Sequence, residues 1–244
     1  MISIKDVRKQ YGEEVVLDRV NLEIKKNSVS TIIGGSGEGK SVLLRLMIGL
    51  EPPDSGEILI DGDNIVGMRE SELNRIRRRF GVLFQDSALF DFLTVGENVA
   101  FPVREHLKLS EQEIQNIVQD KLAGVGLSGE EDKTPEQLSG GMRKRVALAR
   151  ALALDPDIVF FDEPTTGLDP VTSTVIFNLI LKTHSERPVT YVLVSHDVQR
   201  ALEFSQEVMM LYGGQIVAHG KPSEIRKDPD HPIQRFMEGT FGTS

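Results

Sequence analysis

The sequence predicts an α/β fold built around a phosphate-binding loop, and three observations predict it. A β-branched run, Thr31-Ile32-Ile33, leads straight into Gly34-Gly35-Ser36-Gly37-Glu38-Gly39-Lys40-Ser41, which satisfies G-x-x-x-x-G-K-S. Leu43, Leu44 and Leu46 then begin an apolar helical face. Further on, strand-like and helix-like stretches alternate, and a second buried-strand pattern at 157–161 ends in Asp162-Glu163-Pro164.

The loop chemistry follows from these residue types. Glycines let the backbone curl so that several N–H groups converge on one anion. The helix that follows turns its positive end toward the same place. Lys40 is placed to reach the β- and γ-phosphates, and the Ser41 hydroxyl to ligate Mg²⁺. A strand, a loop and a helix in this order, with Lys-Ser at the junction, make a bare glycine turn the weaker reading.

Ahead of the loop, residues 2–7 alternate apolar and polar as a half-buried strand does, Tyr11-Gly12 makes a turn, and 15–24 reads as a second strand. Tyr11 is either a packed or surface aromatic, or a platform for a nucleotide base, since stacking is worth roughly 1–3 kcal/mol. Beyond the loop helix, Pro52-Pro53-Asp54-Ser55-Gly56 is a turn, 57–60 a strand, and 70–79 a helix bearing Arg75, Arg77, Arg78 and Arg79. No aromatic interleaves with these arginines and Glu70 and Glu72 lie close by, so a solvated face outweighs a nucleic-acid patch.

Residues 81–84 read as a strand that ends at Gln85, followed by the apolar cluster Leu89, Phe90, Phe92 and Leu93. From Thr94 to about Gly126 the pattern is helical. Thr94 with Glu97, and Ser110 with Glu113, have the spacing of capping boxes. Ser139-Gly140-Gly141 opens another helix, a start that suits either plain capping or an anion. The carboxylate of Asp162, at a strand end, suits a Mg²⁺ ion beside a phosphate loop, and Glu163 is a candidate general base. Gly167-Leu168-Asp169-Pro170 begins a helix to about Ser185. A strand at 189–194 ends at Ser195-His196-Asp197, on the edge where open α/β sheets bind ligands. A hairpin at 208–218 and two short helical pieces close the chain.

Composition narrows the function. The 244 residues carry a net charge of −9, 39% hydrophobic and 27% charged residues, and no Cys. Disulfides and thiolate metal sites are thereby excluded, and a dedicated nucleic-acid surface is disfavoured. No apolar run approaches the roughly 18 residues a membrane helix needs. The first ten residues, MISIKDVRKQ, lack the apolar segment of a signal peptide.

The ordered set of phosphate loop, Gln85, LSGGM, FFDEP, GLD and SHD resembles the ATP-binding-cassette (ABC) ATPases over essentially the whole chain. The resemblance implies a P-loop NTPase: a RecA-like α/β core with an antiparallel β-subdomain and an inserted helical subdomain. It places the core at 1–85 and 157–220, the helical subdomain at 86–156 and a helical tail at 221–244. It makes Tyr11 the adenine-stacking residue, and Lys40 and Ser41 part of Walker A. Gln85 becomes the residue that senses Mg²⁺ and the attacking water, Ser139 to Gly141 the signature, and Asp162 the Walker B carboxylate. Glu163 becomes the catalytic base, Asp169 the D-loop acid and His196 the switch histidine. ATP and Mg²⁺ are the implied cofactors. Two copies are expected to pair head to tail, the signature helix of one covering the nucleotide on the P-loop of the other. Two separate phosphate-type helix starts in one chain agree with that arrangement.

Met142 stands where the family usually has Gln, and a thioether donates no hydrogen bond, so any contact from there to a ribose is lost or apolar. LSGGM followed by Arg-Lys-Arg, with ALFDFLTVGENVAFPVREH, is similar to the ATPase subunits of MCE-associated, maintenance-of-lipid-asymmetry (Mla-type) phospholipid transporters. That implies an integral-membrane permease, MCE-domain and small regulatory subunits as partners, and a place on the cytoplasmic face of the inner membrane. The rival ABC classes fit less well. DNA-repair and chromosome-structure ATPases carry long coiled coils, and no sustained heptads lie between Lys40 and Ser139. ABC translation factors carry two cassettes in one chain. A binding protein without turnover sits poorly with intact Lys40, Asp162, Glu163 and His196.

Overall fold

The computed structural model describes residues 1–241, so the last positions of the expected tail, 242–244, lie outside the described residues. In chain order, β1 (Ile2–Tyr11) and β2 (Glu14–Ile24) form a hairpin, and β3 (Val29–Ile33) leads into α1 (Lys40–Ile48). Then come β4 (Ser55–Ile60), β5 (Asp63–Asn64), α2 (Glu70–Arg77) and β6 (Phe80–Leu83). Three helices follow: α3 (Val95–His106), α4 (Glu111–Gly124) and α5 (Gly140–Leu152). After them run β7 (Ile158–Asp162), α6 (Pro170–Glu186), β8 (Thr190–Ser195), α7 (Val198–Phe204), β9 (Glu207–Tyr212) and β10 (Gln215–Gly220). Two short helices, α8 (Pro222–Ile225) and α9 (Pro232–Met237), finish the described chain. Among the described residues no helix is long and apolar enough to cross a membrane.

The chain divides into two compact units, residues 1–77 with 190 onward, and residues 78–189. In the first, β2, β1, β4 and β5 lie in that order as an antiparallel sheet. Ile2 and Ile4 of β1 are buried and flanked by half-buried or exposed neighbours, as a strand with one covered face requires; an irregular register between Ile4 and Val7, with Asp6 left-handed at φ 49°, breaks the alternation and lets Val7 be buried as well. A second set of strands runs β10-β9-β3-β8, with β3 parallel to both β8 and β9. All five residues of β3 and all six of β8 are buried, which explains their unbroken runs of β-branched and apolar residues. Against this sheet Ile33 and Met210 pack with Val198 and Leu202 of α7, Ile225 of α8 and Ile233 of α9. Each such burial contributes about 1.5–3 kcal/mol.

In the second unit β6 and β7 pair in parallel, from Phe80 opposite Ile158 to Leu83 opposite Phe161. Phe80 meets Phe160 edge to face at 5.3 Å between ring centroids. Helix α5 packs tightly on β6: a Cβ on Gly81 would lie 2.2 Å from the Ala151 carbonyl oxygen, so only glycine fits. Val95, Val99 and Val103 form the buried stripe of α3, and Ile114, Val118 and Leu122 that of α4, each at a spacing of one helical turn. Both helices begin at the capping boxes expected of Thr94/Glu97 and Ser110/Glu113.

Candidate functional site

In the first unit, β3 delivers the chain into the glycine loop. Two glycines are required there for different reasons. At Gly34 a Cβ would sit 2.5 Å from the Leu211 carbonyl oxygen, so the loop begins in backbone contact with β9. At Gly39 the backbone is left-handed (φ 91°), and this residue is the N-cap of α1. A glycine N-cap offers no side-chain acceptor, and α1 has no acid in its first turn. Gly39 thus makes no side-chain cap hydrogen bond, whereas the starts of α3, α4, α5 and α6 are all capped by the side chain of their N-cap residue. That fits an anion at the start of α1.

Lys40 is buried, and its ammonium donates to the carbonyls of Gly34 at 3.0 Å and Gly35 at 2.8 Å. The side chain thus folds back along the loop, and the charge stays over the residues that line it. Ser41 is half-buried in the first turn of α1, one residue further on. Ser36 is exposed, and Glu38 accepts a hydrogen bond from the Gly213 N–H at 2.7 Å, which pins the loop to the β9–β10 turn. Gly37 has a left-handed backbone as well, at φ 85°. Gly34→Ala is expected to force the loop away from β9, cost about 1–3 kcal/mol, and weaken nucleotide binding. Thermal unfolding with and without ATP measures both effects, and an unchanged profile would contradict the packing role of Gly34.

His196 is exposed and follows β8 directly. The parallel register sets Ile33 opposite Ser195, so Gly34 and His196 leave the sheet at the same edge. Asp197 has a structural task there: its carboxylate caps α7 by accepting from the Arg200 N–H at 3.0 Å.

Tyr11, at the end of β1, is 44% exposed, and its hydroxyl donates to Glu51 at 2.5 Å. Arg45 donates to the other carboxylate oxygen of Glu51 at 2.9 Å, and the Lys9 ammonium lies 5.2 Å from the Tyr11 ring centroid. Burial opposes ionisation of Glu51, but the Tyr11 hydroxyl and the Arg45 guanidinium outweigh it and hold the carboxyl below its ordinary range. The Tyr11 phenol is pushed up, by burial first and by the Glu51 carboxylate second. The ring is therefore an exposed surface held at its hydroxyl end.

In the second unit, the register of β6 and β7 brings Leu83 opposite Phe161, so Gln85 and the pair Asp162-Glu163 emerge at one strand edge. Asp162 is buried at the last position of β7. Glu163 is also buried, and it has a left-handed backbone (φ 47°), a costly conformation for a residue with a side chain. Its carboxylate accepts a hydrogen bond from Thr166 Oγ1 at 3.2 Å.

Ser139 is exposed and caps α5, accepting from the Met142 N–H at 3.3 Å. Asp169 caps α6, accepting from the N–H groups of Val171 and Thr172, both at 3.0 Å, and from the Thr172 hydroxyl at 2.5 Å. The Thr172 hydroxyl chiefly, and these N–H groups next, hold the Asp169 carboxyl below its usual range. Both residues thus serve as ordinary caps. The two helix starts meet at Gly141, where a Cβ would come within 2.5 Å of the Thr172 methyl, and this contact explains the second glycine after Ser139. Gly140 is half-buried beside Leu168.

Three residues that sequence reasoning passed over organise the same region. Lys144 of α5 is buried, and its ammonium donates to the Gln85 carbonyl. Burial lowers its pKa, while the carboxylates of Asp86, Asp162 and Glu163 favour its charged form. Arg150 donates to the carbonyls of Ser87 at 2.8 Å and Ala88 at 2.7 Å. Asn98 is fully buried: its carbonyl accepts from the Phe90 N–H at 2.9 Å, and its amide donates to the Phe90, Leu93 and Thr94 carbonyls. In the sequence Lys144 lies between Arg143 and Arg145, and nothing in that run of three cations marks the middle one as buried.

The apolar cluster after Gln85 is partly exposed. Phe92 is 83% exposed, while Phe90 is half-buried between Phe92 and Phe101. Phe90, Phe84, Phe101 and Leu154 line a cavity of about 410 Å³ with Arg150 at its wall.

Among the described residues no group of three or more His, Cys, Asp or Glu side chains could hold a metal ion. Ser41, Gln85 and Asp162 each carry a hydroxyl, amide or carboxylate oxygen, the hard donor type that Mg²⁺ accepts.

The family profile described as "ABC transporter" matches residues 17–166. The Escherichia coli protein named "Intermembrane phospholipid transport system ATP-binding protein MlaF" is 42% identical over 239 residues, covering 98% of this chain and 89% of that protein. A Mycobacterium leprae protein named "Probable ribonucleotide transport ATP-binding protein mkl" is 44% identical, covering 98% of this chain and 69% of its own. Among solved structures, a dimeric ATP-binding cassette in a post-hydrolysis state with ADP and Pi matches at a TM-score of 0.84 and 36% identity. It covers 91% of this chain and 99% of that one. A Clostridium perfringens cassette, part of the ABC transporter complex cbiONQ, matches at a TM-score of 0.85 and 30% identity, covering 97% and 94%.

Proposed function

This chain belongs to the ABC transporter ATP-binding family, and we propose that it is the ATP-hydrolysing subunit of an Mla-type, MCE-associated phospholipid transporter. The observation that supports the phospholipid reading is its identity of 42% to MlaF across 98% of the chain. In this reading the protein works as a homodimer on the cytoplasmic face of the inner membrane, bound to an integral-membrane permease. MCE-domain and small regulatory subunits complete the complex.

The chemistry assigned to the residues is phosphoryl transfer to water. Lys40 and the loop N–H groups at Gly34 to Ser41 hold the phosphates, and Tyr11 offers its exposed ring to the adenine. Ser41, Gln85 and Asp162 would hold Mg²⁺, which neutralises phosphate charge when bound. Glu163 takes the proton from the attacking water, with Gln85 and His196 aligned on that water and the γ-phosphate. Ser139, Gly140 and Gly141 of the second copy close over the γ-phosphate, and Asp169 lies at the interface of the copies. Met142 leaves that closure without the amide contact the family usually makes. The core at 1–85 and 157–220 and the helical segment at 86–156 are the functional divisions in this reading.

A second reading, transport of ribonucleotides, is supported by the 44% identity to mkl. Capture of the protein from membranes in mild detergent decides between them. The expected partners are an MCE-system permease with co-purifying phospholipid. A sugar, amino-acid or nucleotide permease would overturn the lipid assignment.

A further inference from the structure

We propose that Lys144 is a positioning residue: it fastens Gln85 to helix α5, so that the place of Gln85 is set by the helix whose first turn carries the signature. The proposal rests on the reading of Gln85 as a residue that touches the nucleotide side of the site.

After β6 the chain from Gln85 to Phe90 has no strand or helix to hold it. Ser87 (φ 65°) and Ala88 (φ 46°) are both left-handed, and each costs energy in a residue with a Cβ. A turn bond from the Ser87 N–H to the Phe84 carbonyl and the Asn98 amide at Phe90 hold part of this loop, and α5 holds the rest by its carbonyls. Lys144 takes that of Gln85, and Arg150 takes those of Ser87 and Ala88. The Arg150 guanidinium also lies 5.8 Å from the Phe90 ring centroid. A buried ammonium is costly unless partnered, and Lys144 spends its position on one backbone carbonyl with three carboxylates near enough to favour its charge.

Helix α5 is a continuous rod from Gly140 to Leu152, with Ser139 as its exposed cap. Lys144 sits about 7 Å along it from Ser139 at 1.5 Å per residue. A shift imposed at Ser139 by a second copy therefore arrives at Gln85 through Lys144, and at Phe90 through Arg150. The device makes one copy's glutamine respond to what the other copy's nucleotide does to the signature helix.

The test is a double-mutant cycle on the full-length protein. Lys144→Met keeps the length of the side chain and removes the donor. It is expected to lower kcat by about 10- to 100-fold, the scale of a misplaced site group, with little change in the KM for ATP. Lys144→Arg, which keeps a charged donor, is expected to restore most of the kcat. In a Gln85→Ala background, Lys144→Met should add no further loss, because the group it positions is gone. Additive losses, or a normal kcat in Lys144→Met, would overturn the proposal. Should Lys144→Met fail to fold, Lys144→Leu, which also lacks a donor, replaces it in the same cycle and is read the same way. A normal kcat in Gln85→Ala alone would instead remove the underlying reading of Gln85, and that outcome is separate from additivity.

Discussion

Glu163→Gln is expected to lower ATP hydrolysis by roughly 10²–10⁴-fold, the range for loss of a general base, while ATP still binds. Glutamine has the shape of glutamate, and its amide oxygen accepts the same hydrogen bond from Thr166 Oγ1. Little else about the residue changes, so the loss isolates its basicity. The left-handed backbone at Glu163 sharpens the expectation. A conformation that costs about 1–3 kcal/mol is kept where it aims a side chain, and such strain gathers at functional sites. The measurement is steady-state ATPase activity beside nucleotide affinity and melting temperature. Near-normal turnover in a folded variant would end the role assigned to Glu163.

Phe92→Asp is expected to weaken capture of the proposed permease by roughly 30-fold. Exposure of 83% for a phenylalanine, next to an apolar cavity, is the mark of a docking anchor. The proposed occupant is a short cytoplasmic helix of the permease, seated against Phe90 and Phe101 with Phe92 at its edge. Loss of one aromatic anchor costs about 2 kcal/mol of association, roughly 30-fold in affinity. Because the ring touches little inside its own chain, the melting temperature should hardly move. A variant that unfolds would return Phe92 to a core role, and a folded variant with intact permease capture would move the dock elsewhere. Phe90 is the poorer probe, since it is half-buried among Phe92, Phe101 and Arg150.

Much of this architecture was legible in the sequence because it is written in local patterns. The buried runs of β3, β7 and β8 are continuous, β1 alternates over its first residues, and Thr94 and Ser110 sit three residues before their glutamates. Each of these is fixed by neighbours within a few positions. Helix α7 was not foreseen. It is 7 residues long and buries only Val198, Ala201 and Leu202, too short a run to display a period. Tyr11 was foreseen as a candidate, but not the Glu51 carboxylate, 40 positions away, that holds its hydroxyl. Asn98, Lys144 and Arg150 were hidden for another reason. Their partners are backbone carbonyls, which carry no residue identity, and in the case of Lys144 and Arg150 those carbonyls lie 59 to 63 positions away. Ser139 and Asp169 show the opposite case. Their side chains are visibly helix caps, and only the context of the other motifs lends them a second task.

In the proposed function a second copy of the chain completes the site, with ATP between Lys40 of one and Ser139 of the other. Sedimentation of the Glu163→Gln protein at matched concentrations tests it most directly, because hydrolysis no longer clears the closed state. With ATP and Mg²⁺ the dimer fraction should rise well above that with ADP. Equal monomer fractions with the two nucleotides would contradict the sandwich.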